Sequence, residues 1–122
     1  MQRGVSCKID FQKLFDGYVI SYRAGDAAGC ASCFVSSAEL FSPYGPPAIG
    51  RAAIEAIHRE WVKEGAEDKS ILVLDAGSSE DVGWCKARYS EGTTGNGITL
   101  NVLQRQKDGS WLITYCSLNA AP

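Results

Sequence analysis

Ile98-Thr-Leu-Asn-Val-Leu-Gln-Arg-Gln106, Lys107-Asp-Gly109 and Ser110-Trp-Leu-Ile-Thr-Tyr-Cys-Ser-Leu118 are consecutive segments near the end of this sequence. Apolar and polar residues alternate in the first segment, as they do in a strand with one buried face. Asp108-Gly109 is a dipeptide that favours a tight turn, so Ser110–Leu118 is predicted to return as the second strand. The three segments therefore predict an antiparallel hairpin.

Two further strands are predicted before this hairpin. Ile71–Leu74 is apolar and β-branched, and Val82–Ser90 alternates loosely. A turn is expected at Ser78-Ser-Glu-Asp81, and Gly92–Gly97 is expected to form a flexible hairpin loop. The second half of the chain is thus predicted to be an antiparallel meander.

The first half of the chain has helical periodicity. Steps of three and four residues predict a first helix with the apolar stripe Phe11, Leu14, Phe15, Tyr18, Val19 and Tyr22. Asp26, after Ala24-Gly25, is predicted to cap a second helix that runs to about Phe34. A third helix is expected from near Gly50-Arg51 to before Gly65, with the apolar face Ile54, Ile57, His58, Trp61 and Val62.

The segment between the second and third helices is predicted to be a short strand followed by a loop. Ala38–Phe41 is the strand, and Ser42-Pro-Tyr-Gly-Pro-Pro47 is expected to be stiff and irregular because of its prolines. Helices followed by a meander predict the α+β class, with three N-terminal helices covering one face of an antiparallel sheet. A length of 122 residues fits a single domain, residues 1–122.

The composition excludes several classes of protein. Apolar residues make up 45% of the chain and charged residues 21%, which favours a packed core over disorder. The net charge of −2 comes without a basic patch, so no nucleic-acid partner is expected. No apolar run reaches the roughly 20 residues that a membrane helix needs, and no secretory signal opens the sequence. A cytoplasmic protein without a membrane partner is expected.

The five cysteines are expected to be reduced thiols. Cys30-Ala-Ser-Cys33 has the spacing of a redox or zinc motif, but it lies in a predicted helix, and no second such pair follows. Buried cysteines behave as small hydrophobic residues, so a structural role is favoured and no metal site is predicted. Phosphate-binding and nucleophile motifs are also absent from the sequence, and no cofactor is expected.

The sequence resembles the nuclear transport factor 2-like superfamily, which includes ketosteroid isomerases and SnoaL-like polyketide cyclases. The resemblance covers roughly Phe15 to Asn119. It depends on the order and spacing of short motifs: Tyr18-(x)6-Gly25-Asp26, Pro43-Tyr-Gly-Pro46, Ile49-Gly-Arg51-(x)2-Ile54, Lys107-Asp-Gly-Ser-Trp111 and Ser117-Leu-Asn119. It implies a cystatin-like cone, in which the helices pack into a strongly curved sheet, and a homodimer formed through that sheet.

An apolar pocket inside the cone is expected to bind a hydrophobic small molecule. The candidate ligand-binding residues are Tyr22, Phe41, Ser42, Tyr44, Trp61, Trp84 and Tyr89. Aromatic side chains also dominate ordinary cores, so core packing is the favoured interpretation for any single one of these rings.

Tyr18, His58 and Asn101 are the candidate catalytic residues. Tyr18 and His58 occupy apolar helix faces, where an unpaired polar group costs about 1–3 kcal/mol. A hydrogen bond between them, either direct or through one water, is therefore predicted. His58 could instead be a core histidine bonded to a backbone carbonyl. The resemblance implies an oxyanion-stabilising role for Tyr18, a supporting role for His58, and a second donor role for Asn101.

Ser42 stands where the resemblance places an aspartate base, which argues against isomerase chemistry because a serine hydroxyl cannot act as the base alone. Three functions remain open: a non-catalytic binder of a hydrophobic molecule, a small-molecule isomerase, cyclase or dehydratase that uses Tyr18, His58 and Asn101, and a structural or dimerisation domain with a filled cone.

Overall fold

A computed structural model describes residues 2–3, 5–64, 66–91 and 95–121. The helices in these ranges are α1 (Val5–Arg23), α2 (Ala27–Ala31) and α3 (Arg51–Trp61), and a short 3-10 turn spans Ala66–Asp68. The strands are β1 (Gln2–Arg3), β2 (Phe34–Ser42), β3 (Gly45–Ile49), β4 (Lys69–Ser79), β5 (Val82–Glu91), β6 (Asn96–Arg105) and β7 (Trp111–Ala120). No helix within the described ranges is long and apolar enough to cross a membrane.

The strands form one sheet in the order β1-β4-β5-β6-β7-β2-β3. The predicted meander is confirmed, because β4, β5, β6 and β7 pair with their neighbours in antiparallel register. The sheet is nevertheless mixed, since β2 lies parallel to β7. The β2–β3 hairpin thus joins the edge of the C-terminal meander, and the predicted α+β class is confirmed.

The first helix packs against the sheet through the predicted stripe. Phe11, Phe15, Tyr18 and Tyr22 are all buried. The Gln12 side chain contacts a bulge in β4: its Nε2 donates to the Ile71 carbonyl at 3.0 Å, and its Oε1 accepts from the Val73 amide at 2.7 Å. Because bulges bend strands and increase twist, this irregularity helps the sheet curve around α1.

The second helix is shorter than predicted. Asp26 caps it as expected, with its carboxylate accepting from the Gly29 amide at 2.9 Å. The helix ends at Ala31 rather than about Phe34, and β2 begins at Phe34. Phe34 and Val35 favour a strand, and the side chain of Phe34 is buried in the core, so sheet formation prevails over a longer helix.

The proline-rich segment is not irregular throughout, which corrects the prediction of a loop over residues 42–47. Gly45–Ile49 forms the edge strand β3, in which Ala48 pairs with Leu40 and Ile49 with Glu39. The register shifts between Leu40 and Ser42, opposite the two prolines. Proline is tolerated at an edge or an irregularity because no ladder hydrogen bond there needs its missing N–H.

Several strand boundaries extend beyond their predicted limits. β4 runs from Lys69 to Ser79, so the turn to β5 is reduced to Glu80-Asp81, with Glu80 at φ 55°. β6 begins at Asn96, which removes Asn96 and Gly97 from the predicted loop; residues 92–94 of that loop lie outside the described residues.

Candidate functional site

Tyr18 of α1 and His58 of α3 form a direct hydrogen bond, as predicted. Tyr18 Oη lies 2.7 Å from His58 Nε2, and His58 Nδ1 lies 2.7 Å from the carbonyl oxygen of Ile54. A carbonyl can only accept, so Nδ1 carries the imidazole proton. In the neutral ring Nε2 must then accept, and Tyr18 donates its hydroxyl proton to it.

Burial keeps this pair uncharged. His58 is fully buried, and four aromatic rings surround it with centroids 4.9–6.2 Å away: Tyr18, Tyr22, Phe34 and Trp61. Desolvation lowers the pKa of His58 to about 4, although its bond to Ile54 acts in the opposite direction. Burial also raises the pKa of Tyr18 well above its ordinary value. At neutral pH the Tyr18 hydroxyl therefore donates its hydrogen bond to His58 and not to a substrate oxyanion.

Among the described residues, the space beside Tyr18 inside the cone is small. The cavity beside Tyr18 has a volume of about 20 Å³. Its walls are Phe15, Tyr18, Phe34, Leu40, Lys69, Ile71, Tyr89, Thr99, Ile113, Cys116 and Leu118. One water needs roughly 10–15 Å³ by this kind of measure, so a steroid-sized ligand does not fit. The roomy pocket predicted for the interior is thus not found at this position.

Lys69 and Glu91 form a buried ion pair that the sequence analysis missed. They are direct partners in the β4–β5 register, and Lys69 Nζ lies 2.9 Å from Glu91 Oε1. The same oxygen accepts from the Tyr22 hydroxyl at 3.1 Å. Lys69 Nζ also lies 4.5 Å from the Tyr22 ring centroid and 5.3 Å from that of Tyr89. The inward phase of Lys69 with Ile71 and Val73 was the available sequence signal.

A larger cleft opens where α1 and α3 end. It has a volume of about 380 Å³, and its walls are Tyr22, Tyr44, Ile57, Glu60, Trp61, Glu64, Glu91 and Leu118. Lys69 lines the inner cavity and Glu91 lines this cleft, so their ion pair lies between the two spaces. Three predicted ligand-binding residues, Tyr22, Tyr44 and Trp61, come together here.

Hydrogen bonds and ring contacts fix the aromatic walls of the cleft. Tyr44 Oη lies 2.8 Å from Tyr89 Oη, which ties the β2–β3 turn to β5. The rings of Tyr44 and Trp61 are 6.2 Å apart and nearly perpendicular, and Trp61 also packs against His58 at 4.9 Å. Tyr89 itself lines the inner cavity rather than the cleft. The cleft is therefore largely pre-formed by the core beneath it.

Phe41 and Trp84 do not line the cleft or the inner cavity, which corrects their predicted role. They lie with Leu100, Val102 and Tyr115 around a separate groove of about 370 Å³. Strand alternation explains the difference. Leu40 of β2 and Cys85 of β5 are buried. Phe41 follows Leu40 and Trp84 precedes Cys85, so both side chains point to the opposite face of the sheet. These five side chains belong to the face of the sheet away from α1. The groove that they line is called the outer groove below.

Ser42 and Asn101 are also absent from the described walls of the cleft and the inner cavity. Ser42 Oγ accepts from the Tyr44 amide at 3.2 Å, which makes it a turn residue. Asn101 is buried between Cys85 and Cys116 in the register, and its Nδ2 donates to Thr99 Oγ1 at 3.2 Å. Tyr18 lines the inner cavity and Asn101 does not, so the implied donors share none of the cavities described here for residues 2–3, 5–64, 66–91 and 95–121.

Cys30 and Cys33 are buried thiols that donate to backbone carbonyls. Cys30 Sγ lies 3.9 Å from the Tyr18 carbonyl, and Cys33 Sγ lies 3.8 Å from that of Gly29. Burial raises the pKa of Cys30 to about 12 and that of Cys33 to about 11. Both remain protonated at neutral pH, as expected of structural rather than reactive cysteines.

No protein-family model and no curated protein matches this sequence. The helices and curved mixed sheet define a cystatin-like α+β fold of the type found in nuclear transport factor 2-like proteins. The resemblance inferred from the sequence motifs is thereby confirmed at the level of the fold.

Three solved structures illustrate this similarity. A cystatin-like protein of unknown function from Nostoc punctiforme superposes with a TM-score of 0.80 at 15% identity, covering 100% of this chain and 96% of that one. A ketosteroid isomerase-like protein from Erwinia carotovora atroseptica gives 0.77 at 13% identity, covering 94% and 97%. A nuclear transport factor 2-like protein from Novosphingobium aromaticivorans gives 0.70 at 18% identity, covering 88% and 77%.

Proposed function

We propose that this protein binds a small, partly apolar molecule in the cleft lined by Tyr22, Tyr44 and Trp61. The observation that carries the proposal is the cleft itself, about 380 Å³ in volume with aromatic and aliphatic walls. Ligand sites typically have volumes of roughly 300–1,000 Å³ and combine apolar walls with a few polar groups. Ile57 and Leu118 supply aliphatic surface beside the three rings.

Binding is favoured over acid–base catalysis because the candidate catalytic groups are already used. The Tyr18 hydroxyl donates to His58, and the second His58 nitrogen donates to Ile54. A general acid or base must reach the proton that it transfers, and the small inner cavity leaves no room for a substrate beside this pair. The Tyr18–His58 pair supports the wall of the cleft instead, since His58 packs directly against Trp61.

A neutral fluorescent probe tests the proposal. N-phenyl-1-naphthylamine brightens in apolar surroundings, and we expect saturable binding at one site per chain. Trp61→Ala removes one wall of the cleft and should weaken binding at least about tenfold, as expected for a buried aromatic contact. The control Phe41→Ala removes a ring from the outer groove and should leave the affinity unchanged. Binding that survives Trp61→Ala but is lost in Phe41→Ala would contradict the proposal.

A further inference from the structure

The cleft wall carries acidic side chains and no basic ones among the residues described. Its three carboxylates belong to Glu60, Glu64 and Glu91. Glu91 is balanced by Lys69, whereas Glu60 forms, with the described residues, a single loose 3.5 Å pair with Lys63 in which both side chains are largely exposed. Glu64 makes no ion pair within the described part of the chain. The cleft therefore has an unbalanced negative charge beside its aromatic walls.

The aromatic rings of the cleft also favour a positively charged ligand. The rings of Tyr44 and Trp61 meet nearly at a right angle, and both residues line the cleft. Ring faces attract cations, and the attraction grows when the cation is partly desolvated. The protein already uses this interaction next to the cleft, where the Lys69 ammonium lies over the rings of Tyr22 and Tyr89.

Tyr22, a buried residue of the cleft wall, is in direct contact with one of these carboxylates, since its hydroxyl donates to Glu91 Oε1 at 3.1 Å. Burial raises the pKa of Tyr22 far above its ordinary value, and the charges of Glu91 and Glu64 add to the rise. The same field disfavours any anionic group of a ligand and favours a cationic one. The carboxylates and the aromatic rings thus favour a positively charged group on the ligand, while Ile57 and Leu118 favour an apolar part of the same molecule.

We propose that the cleft is selective for organic cations, namely alkyl- or arylammonium compounds with an apolar body. The cationic group is held by the rings of Tyr44 and Trp61 within the field of Glu64, and the body packs on the aliphatic wall. This inference rests on the proposed function, in that it names the chemical class of molecule bound at the same cleft.

Three matched probes test the charge preference: benzyltrimethylammonium, neutral benzyl alcohol and anionic phenylacetate. Titrations followed by the NMR signal of the Trp61 indole N–H give each affinity at the site. We expect the cation to bind about tenfold or more tightly than benzyl alcohol, and phenylacetate to bind most weakly. Glu64→Gln should reduce the affinity for the cation several-fold and leave that for benzyl alcohol unchanged. The control Glu55→Gln removes a carboxylate of α3 that does not line the cleft and should change neither affinity.

The outcomes separate this inference from the proposed function. Equal affinities for the cation and benzyl alcohol, insensitive to Glu64→Gln, would overturn the charge selectivity while the cleft remains a binding site. Absence of a Trp61 shift with all three probes, together with no saturable binding of N-phenyl-1-naphthylamine, would overturn both. Tighter binding of phenylacetate than of the cation would reverse the inferred ligand class.

Discussion

Lys69 and Glu91 face each other across β4 and β5, and the lysine is only 3% exposed. Burying a charge is costly unless it is paired, so each residue depends on the other. Their pair also receives the Tyr22 hydroxyl, which links the sheet to the end of α1. A polar cluster of Lys69, Glu91 and Tyr22 thus separates the inner cavity from the cleft.

Lys69→Met is expected to destabilise the fold by about 2 kcal/mol, less than for a fully buried pair because Glu91 is 20% exposed. The substitution removes the Lys69 ammonium from the Glu91 carboxylate. Urea unfolding measures the change. Lys69→Met combined with Glu91→Gln should cost less than the sum of the two single changes. Arg59→Met, which breaks the exposed pair with Glu55, serves as control and should cost about 0.5 kcal/mol or less. Additive effects at Lys69 and Glu91 would contradict the coupling.

Stability is expected to fall as the pH drops from 7 to 5. The pKa of His58 is about 4 in the folded chain and near 6.5 when unfolded, so in this window the unfolded state binds the extra proton. The free energy of unfolding should therefore decrease with falling pH, by about 2 kcal/mol over this range. His58 is the only histidine, so its ring proton signals are unique and should not titrate above about pH 5. Titration of the folded protein near pH 6.5 would contradict the assignment.

The native protein is expected not to isomerise a β,γ-unsaturated ketosteroid. The inner cavity of about 20 Å³ excludes the substrate, and the Tyr18 proton is held by His58. Ser42→Asp should give no gain, because Ser42 is a turn residue outside the described walls of both spaces. Formation of the conjugated enone, followed by its absorbance, measures the reaction. Turnover by the native protein that is lost in His58→Phe would show instead that His58 acts as a base.

A homodimer through the sheet is expected, with a second copy of the chain covering the outer groove. Leu100 is 51% exposed, Tyr115 46% and Phe41 38%, an apolar surface that pairing would shield from water. Light scattering at micromolar concentration should give twice the chain mass. Leu100→Glu should shift the protein to a monomer, whereas Ile20→Glu, an exposed apolar residue of α1, should not. A native monomer would contradict this prediction.

The sequence allowed the fold and one side of the site to be predicted, because helical periodicity depends on local spacing alone. The stripe of α1 placed Tyr18 and Tyr22 correctly, and the face of α3 placed His58 and Trp61. Buried polar groups need hydrogen-bond partners, and the Tyr18 hydroxyl and the His58 ring, one from each stripe, satisfy each other.

Which strand residues face which space was harder to predict. In Glu39-Leu-Phe41 two apolar residues are adjacent, so composition does not tell which one points inward. A bulge between Val73 and Asp75 also shifts the alternation within β4. The burial of Lys69 does not follow from its position in the sequence, because a lysine at the start of a strand is usually solvated. Its burial is explained by its pairing with Glu91, more than twenty residues away, and by the rings of Tyr22 and Tyr89 beside its ammonium group.

The position of β7 between β6 and β2 bears on how the chain folds during synthesis. β2 emerges early, yet its parallel neighbour is the last described strand to be made. Until then the β2–β3 hairpin presents an open edge that other chains can pair with. Contacts of such long sequence separation also form slowly. Loss of β7 would therefore detach the β2–β3 hairpin from the rest of the sheet, because β7 is the strand through which β2 joins it.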